Sequence, residues 1–184
     1  MSTTTKRPYA DALAVADELA AILQPACVRL LIAGSLRREK AEIGDVELVA
    51  IPHTTPTLDL FGQPAPGLEQ SALDDALAAL GLTFTKNGPK YKQFGYADMT
   101  VDLFLATPAT WGCVATIRTG SADFSRWLVT ERKHGGGCPT GMQFRDGRLW
   151  HLGKALETPE ERDVFAALEQ PWVAPVERVE GRWK

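Results

Sequence analysis

The sequence is poor in cysteine, histidine and long apolar stretches, and it carries no excess of positive charge. Its three cysteines, Cys27, Cys113 and Cys138, are widely spaced and odd in number, which argues against a disulfide framework or a Cys-x-x-Cys metal site. The three histidines show no metal-ligand spacing. No apolar run approaches the length of a membrane span, and the first residues lack the apolar core of a signal peptide. We therefore expect a reduced, cytoplasmic protein without membrane contact.

The balance of charge argues against a dedicated DNA-binding module. Twenty Lys and Arg stand against 23 Asp and Glu, which gives a net charge of −3 at pH 7, whereas such modules are usually basic. With 184 residues, 45% of them hydrophobic, the chain is long enough for one domain or two small lobes around a real core.

The most informative stretch, residues 30–51, is predicted to hold two strands joined by a Gly-Ser turn and a basic connection. The first strand, at 28–33, is a short apolar run between turn residues, which suits a buried strand. Gly34 lets the backbone approach a ligand closely, and Ser35 offers a hydroxyl group beside it. The two arginines that follow add fixed positive charge.

Three acids lie on two predicted strands. Asp45 and Glu47 open the strand 45–51 and share one face, because strand side chains alternate. Asp102 lies among the apolar residues of the strand 99–105, where an unpaired acid would be costly. An isolated Asp-x-Glu is more often a solvated strand edge. Here, however, the Asp-x-Glu follows a Gly-Ser turn and precedes Asp102 in the chain. This order favours a paired-carboxylate metal site for phosphoryl transfer.

The rest of the pattern predicts helices, hairpins and loops. Helices are expected at 8–24, 69–80, 107–118, 122–133 and 158–169, and hairpins at 82–96 and 142–152. Residues 52–67 are rich in Pro, Thr and Gly and are predicted to form a loop. The first hairpin presents Lys86, Lys90 and Lys92 among aromatic residues. Such lysines can hold a nucleic-acid backbone or protect a sheet edge from aggregation, and the sequence leaves both open.

In their order, the motifs resemble those of family X DNA polymerases, which are nucleotidyltransferases. They are Gly34-Ser35-Leu36-Arg37-Arg38, Gly44-Asp45-Val46-Glu47, Val101-Asp102-Leu103, Thr119-Gly120-Ser121 and a closing segment from Thr158-Pro159-Glu160-Glu161 to Pro171-Trp172 and Glu177-Arg178. The resemblance implies an α/β (α+β) fold: a palm with a mixed sheet and flanking helices at 1–106, then a small helical and hairpin thumb at 107–184. It implies no lyase or fingers domain, as in the smallest viral members.

The resemblance also implies roles for single residues. Asp45, Glu47 and Asp102 would hold two Mg²⁺ ions, which Mn²⁺ can replace, and Asp102 would complete the site that activates the primer 3′-hydroxyl. Nucleotide contacts are implied for Gly34, Ser35, Arg38, Gly44, Arg118, Thr119, Gly120 and Ser121. DNA contacts are implied for Lys86, Lys90, Lys92 and Arg126. In relatives, the peptide bond at the position of Gly120–Ser121 is cis.

We therefore expect a monomeric DNA polymerase that adds dNTPs to a primer or gapped DNA, in short-gap repair. A nucleotidyltransferase acting on RNA, protein or a small molecule is the alternative enzyme. A non-catalytic nucleic-acid-binding or antitoxin-type relic is the alternative outside enzymes, although the intact acids disfavour it. Two of the departures from the family pattern concern residues of the predicted site. Glu47 stands where Asp is usual, and Arg118, in place of an aromatic residue, either stabilises a helix C-terminus or contacts the nucleotide.

Overall fold

The computed structural model describes residues 6–181 and 183. Its strands are β1 (Arg7–Pro8), β2 (Cys27–Ile32), β3 (Glu42–Ile43), β4 (Asp45–Pro52), β5 (Thr54–Leu58), β6 (Pro64–Ser71), β7 (Phe84–Asn87), β8 (Tyr91–Tyr96), β9 (Met99–Leu105), β10 (Met142–Arg145), β11 (Arg148–His151) and β12 (Lys154–Ala155). Its α-helices are α1 (Tyr9–Leu23), α2 (Gly34–Arg37), α3 (Ala72–Ala79), α4 (Trp111–Thr119), α5 (Ala122–Val129) and α6 (Glu161–Ala167). No helix of the described residues is long and apolar enough to cross a bilayer.

A five-stranded mixed sheet in the order β2-β4-β9-β8-β7 forms the centre of the fold. Strands β4 and β9 are parallel, and the other neighbours are antiparallel. On one face, Val46, Leu48, Val101 and Leu103 are fully buried in a core that also contains the apolar faces of α1 and α3. The predicted α+β fold, a mixed sheet flanked by helices, is confirmed.

The opposite face of the sheet is covered over only part of its length. There, Val49 and Ile51 of β4 pack in an apolar cluster with Trp111 and Ala115 of helix α4. Because side chains alternate along β4, the two acids at its start point to this same face. Asp45, the first residue of β4, borders an open cleft instead of the helix. The sheet therefore presents the beginning of β4 to solvent beside a rigid core.

The carboxy-terminal part surrounds an apolar cluster of its own. Phe124 and Leu128 of α5, Leu149 of β11 and Phe165 of α6 are buried together with Cys113 of α4. The three cysteines are buried and free, in line with the predicted reduced state. Helix α4 touches both the central sheet and this cluster, so it connects the two parts of the molecule.

The prediction of a loop over residues 52–67 is wrong. Strands β5 and β6 form an antiparallel hairpin in which Thr54 lies opposite Ser71. The prolines do not prevent it, since this two-stranded ribbon stands apart from the central sheet and edge positions need no amide donor. Its turn is fixed by Asp59, whose carboxylate accepts the backbone amides of Phe61 and Gln63 at 2.8 and 2.9 Å.

Four predicted helix boundaries are also wrong. Helix α3 begins at Ala72 rather than at 69, because residues 69–71 belong to strand β6 and Ser71 caps the helix. Helix α5 ends at Val129 because the Thr130 hydroxyl bonds the carbonyl of Arg126 and the chain turns into a β-bridge. Helix α4 begins at Trp111 rather than at 107, after a turn. Helix α6 begins at Glu161, since the capping box is formed by Glu160 with Asp163 rather than by Thr158. The short strand β12 was not predicted.

Candidate active site

The three predicted acids meet on one face of the central sheet. In the parallel pairing of β4 with β9, Asp45 lies opposite Thr100 and Glu47 lies opposite Asp102. Paired residues on neighbouring strands point to the same side. The face opens into a cleft of about 520 Å³ that Asp45 and Asp102 line together with Gln93 of β8. The fold therefore brings the acids together from positions 57 residues apart.

Gly34 is required by the way the Gly-Ser turn packs on Glu47. Its φ is +60°, and a Cβ atom added there would lie 1.8 Å from Glu47 Oε2. The amide of Ala33 donates to the carbonyl of Glu47 at 2.8 Å. Helix α2 begins directly after this contact, which places Ser35 and Arg38 beside the carboxylates.

The acids at the start of β4 are electrostatically strained. Burial, and next the charge of Asp45, raise the pKa of Glu47 to about 7, although Arg38 acts in the opposite direction. Burial and then the charge of Asp102 raise the pKa of Asp45. Burial lowers the pKa of Arg38, against the pull of both acids. One arginine thus only partly offsets the negative charge, and further positive charge would be favourable.

Asp102 is held by two residues of β8 that sequence analysis did not identify. Its Oδ1 accepts hydrogen bonds from the Tyr91 hydroxyl at 2.5 Å and from Gln93 Nε2 at 2.8 Å. Burial and this bond to Asp102 raise the pKa of Tyr91 to about 12. A signal existed, because the two-residue turn Ala97–Asp98 sets Tyr96 opposite Met99 and thereby Gln93 opposite Asp102.

The acids suit a hard divalent cation, which prefers carboxylate oxygens. The raised pKa values of Asp45 and Glu47 mean that added positive charge would favour their ionised forms. Within the described residues, however, no three Asp, Glu, His or Cys side chains are already close enough to hold a metal ion. Asp102 is engaged by its two donors, and Glu47 lies against the turn at Gly34. Cation binding would therefore require these side chains to move.

Two polar atoms beside the acids lack a partner. Ser35 Oγ and Arg38 Nε are buried, and the described residues offer neither of them a hydrogen bond. Buried donors of this kind normally find a partner. Both suit the oxygen atoms of a phosphate group. Gly44, which was predicted to contact the nucleotide, lines the cleft next to Asp45.

The Thr119-Gly120-Ser121 turn is bonded to the last residue of α2, Arg37, and to Arg38, which follows it. Arg38 donates to the carbonyl of Thr119 at 2.7 Å, and Arg37 donates to the Thr119 hydroxyl at 2.6 Å. The Ser121 hydroxyl caps α5 by accepting from the Phe124 amide at 3.2 Å. The cis bond that relatives carry at Gly120–Ser121 is not found here, since every peptide bond in the described ranges is trans. Extended backbone at Gly120 and Ser121 already lets Ser121 serve as the N-cap.

A buried ion network that sequence analysis missed joins this turn to the carboxy-terminal part. Glu161 accepts from Arg37 and from Arg178, each at 2.5 Å. Arg178 is completely buried, and its guanidinium lies 5.1 Å from the ring of Phe165. Its carbonyl accepts the amide of Ser121 at 3.0 Å. The closing Glu-Arg motif is thus a structural link to α2 and to the Thr-Gly-Ser turn.

The other residues that were predicted to contact the nucleotide or DNA lie in different parts of the structure. Arg118 stacks over Phe104 at 3.9 Å, and its charge acts to lower the pKa of Glu47, so it lies near the acids as well as in the last turn of α4. Lys86 and Lys90 are exposed on the β7–β8 hairpin. Lys92 is buried and bonds Asn87 at 2.5 Å and Asp74 at 2.8 Å.

Arg126 lies on α5, apart from the acids, and pairs with Asp123 at 3.2 Å on the surface. Its guanidinium side chain lines a second cleft with Trp127 and His134. The predicted DNA contacts therefore fall on two surfaces, the β7–β8 hairpin and the outer face of α5.

Comparison with known proteins supports the relationship that the motifs indicate. The chain is 27% identical over 162 residues to DNA polymerase lambda of Rattus norvegicus. The chain is thus similar to a DNA polymerase. The alignment covers 79% of the chain but only 28% of the relative, so the chain spans less than a third of that enzyme's length. No family model matches the chain.

Proposed function

We propose that the protein is a nucleotidyltransferase of the family X type that extends a DNA primer with deoxynucleotides. The observation that carries this proposal is the meeting of Asp45, Glu47 and Asp102 on an open sheet face beside two orphaned donors, Ser35 Oγ and Arg38 Nε. Acids for a cation next to donors for phosphate are the parts that phosphoryl transfer needs. The similarity to a DNA polymerase favours DNA as the acceptor.

Each part of the site has a proposed task. Asp45, Glu47 and Asp102 would hold Mg²⁺, or Mn²⁺ in its place, which would lower the pKa of the primer hydroxyl and neutralise phosphate charge. Ser35 and Arg38 bind the oxygen atoms of the nucleotide's phosphates. Tyr91 and Gln93 orient Asp102 towards the primer end. These groups position the reactants before reaction, which is a large part of catalysis in phosphoryl transfer.

The two parts of the chain have separate roles in this proposal. Residues 1–106 act as the catalytic palm, and residues 107–184 act as a thumb that holds the nucleotide and the DNA. In this proposal the thumb is bonded to the palm through Thr119, which accepts hydrogen bonds from Arg37 and Arg38. Lys86, Lys90 and Arg126 contact the DNA backbone, whereas Lys92 is engaged inside the protein. We propose that the protein acts as a monomer and fills short gaps in DNA.

The test is primer extension on gapped, recessed and single-stranded DNA with Mg²⁺ and single dNTPs. We expect extension with the unmodified protein and a loss of about 10³-fold or more in turnover with Asp102→Asn. The matched control is Asp98→Asn, because Asp98 lies in the turn before β9, is 98% exposed and should leave turnover unchanged. Transfer only to RNA, protein or a small molecule, or no transfer at all, would refute the polymerase assignment.

A further inference from the structure

Three contacts in series lead from the end of helix α4 to Asp102. The guanidinium of Arg118 lies over the ring of Phe104 at 3.9 Å. The ring of Phe104 stacks on that of Tyr91, with 5.0 Å between the ring centres and 23° between the planes. The hydroxyl of Tyr91 donates to Asp102 Oδ1. A residue in the last turn of α4 is thereby linked to the acid on β9.

The register of the central sheet makes this series of contacts possible. Tyr91 lies opposite Phe104 in the antiparallel pairing of β8 with β9, and Gln93 lies opposite Asp102. Tyr91 is therefore the diagonal neighbour of Asp102, a separation that an aromatic side chain can span. Aromatic pairs have preferred geometries, so the stack on Phe104 restricts the orientation of the Tyr91 ring.

The apolar core does not hold the two rings by itself. Phe104 and Tyr91 are each only partly buried, and Phe104 borders a cleft of about 800 Å³ together with Arg118. A cation over an aromatic ring is attracted by the negative charge of the ring face. Arg118 therefore supplies the contact that keeps the Phe104 ring from tilting towards the cleft and away from Tyr91.

Arg118 also lies close enough to act on both sides of the site. Burial is the largest cause of the raised pKa of Tyr91 and of Glu47, and the charge of Arg118 opposes both shifts. The next residue, Thr119, accepts hydrogen bonds from Arg37 and Arg38. The backbone that carries Arg118 is thus held by the arginines beside the proposed phosphate site, and its side chain reaches towards Asp102.

We propose that Arg118 is a positioning residue, which acts through Phe104 and Tyr91 to hold Asp102 in the orientation that the reaction needs. This role rests on the proposed function. It differs from the two roles that the sequence indicates for Arg118, which are a nucleotide contact and the stabilisation of a helix C-terminus. Loss of a nucleotide contact would raise KM, whereas loss of a positioning residue lowers kcat.

The first measurement is extension of a recessed primer by the unmodified protein, Arg118→Met and Arg118→Lys. We expect Arg118→Met to lower kcat about 5-fold or more while KM for the dNTP changes less than about twofold. Arg118→Lys keeps a cation over the ring and should restore most of kcat. In a Tyr91→Phe background, Arg118→Met should lower kcat no further, because the series of contacts is already interrupted.

The matched control is Arg145→Met. Arg145 is also exposed and lies over an aromatic ring, that of Trp150, at 4.2 Å. Trp150 belongs to the three-stranded sheet of β10, β11 and β12 and not to the central sheet. Arg145→Met should therefore leave both kcat and KM unchanged.

The second measurement needs neither activity nor metal nor DNA. The chain has three tyrosines, so labelling with fluorotyrosine gives three signals in a fluorine NMR spectrum, and Tyr91→Phe identifies the signal of residue 91. Arg118→Met should shift this signal and leave the other two in place. Arg145→Met should leave all three signals unchanged.

Several results would overturn this role of Arg118. An increase in KM at constant kcat would assign Arg118 to the nucleotide, and unchanged kcat and KM would leave it no part in the reaction. An unshifted Tyr91 signal would show that the stack does not hold Tyr91. An undiminished effect of Arg118→Met in the Tyr91→Phe background would show that Arg118 acts by another route. If the unmodified protein extends no primer, the proposed function fails, and the NMR spectra still decide whether Arg118 holds Tyr91.

Discussion

Glu47 is the residue whose ionisation most directly reports on the site. Its pKa is raised to about 7, so the folded protein holds this proton more tightly than the unfolded chain, for which the value is 4.5. For an acid with a raised pKa, the contribution to stability is full below pH 4.5 and is lost as the pH rises towards 7. Without a bound cation, the ionisation of Glu47 lowers the free energy of unfolding at pH 8 by about 3 kcal/mol at most.

Glu47→Gln removes this ionisation. Relative to the variant, the unmodified protein should therefore lose up to about 3 kcal/mol of unfolding free energy between pH 5 and pH 8 in a chelating buffer. Urea denaturation at both pH values measures the difference. Added Mg²⁺ at pH 8 should stabilise the unmodified protein more than the variant. Identical pH profiles for the two proteins would contradict the assignment of a strained carboxylate.

Gly34 is a residue whose replacement should damage both stability and chemistry. An Ala at position 34 would be strained at a φ of +60° and would also force the Glu47 side chain away. Gly81 is the matched control, because its φ is +63° but an added Cβ would contact nothing within 4 Å. Gly81→Ala should cost about 1–2 kcal/mol, and Gly34→Ala should cost about 1–3 kcal/mol more.

Both variants are compared by urea denaturation and by primer extension. We expect Gly34→Ala to lose turnover and Gly81→Ala to keep it, because only the former displaces a carboxylate. If both variants lose stability and turnover equally, the contact between the turn and Glu47 is unimportant.

At the scale of elements, the sequence patterns are sufficient wherever local chemistry decides the structure. The strand predicted at 99–105 is Met99–Leu105, and the alternation of Asp45 with Val46 correctly separates the solvent face from the core. The patterns fail where the pairing of strands decides the structure. The β5–β6 hairpin contains prolines, which disfavour strands in general, and its register follows from a turn that Asp59 stabilises.

The β7–β8 hairpin carries the prediction that belongs to this scale. Lys86 and Lys90 are exposed, and Lys90 Nζ lies 3.7 Å from Asp146, a solvent-exposed partner that a phosphate could displace. Replacing both lysines by Ala should reduce the slope of log affinity for DNA against log salt by about two, roughly one for each lost phosphate contact. Fluorescence anisotropy between 50 and 200 mM salt, about the range where such slopes are clear, measures it.

The matched control changes two exposed lysines that do not lie on the hairpin, Lys6 and Lys154. That double variant should keep the slope of the unmodified protein. An equal reduction in both double variants would indicate general charge attraction rather than contacts from the hairpin. An unchanged slope in the Lys86 and Lys90 variant would leave the hairpin lysines the role of protecting the sheet edge.

At the scale of the whole molecule, the contacts that join the two parts are the ones a sequence does not disclose. Glu161 binds Arg37, 124 positions earlier in the chain, and Arg178, 17 positions later. No periodicity or local propensity connects such residues. The motifs that contain them were recognised through resemblance, but their physical role became visible only from the folded arrangement. Tyr91 and Gln93 differ from these residues, because the two-residue turn between β8 and β9 sets Gln93 opposite Asp102 and could have indicated their role.

The last prediction concerns Arg178, which holds this arrangement together. It is completely buried between aromatic rings and donates to Glu161 and to the carbonyl of Val173. Arg178→Met keeps much of the apolar volume but leaves Glu161 with one buried partner fewer. Breaking a buried ion pair from one side typically costs about 3–5 kcal/mol. We expect a loss of this size in urea denaturation.

Arg162→Met is the matched control on α6. Arg162 also stacks on Trp172, at 4.5 Å, but its side chain is exposed, so its replacement should cost about 1 kcal/mol or less. Because Arg38 directly follows Arg37 at the end of α2, loosening Glu161 should also displace the phosphate-binding side of the cleft. Arg178→Met should then lower turnover in conditions where the protein is still folded. If the variant is destabilised but fully active, the ion network stabilises the fold and has no influence on turnover.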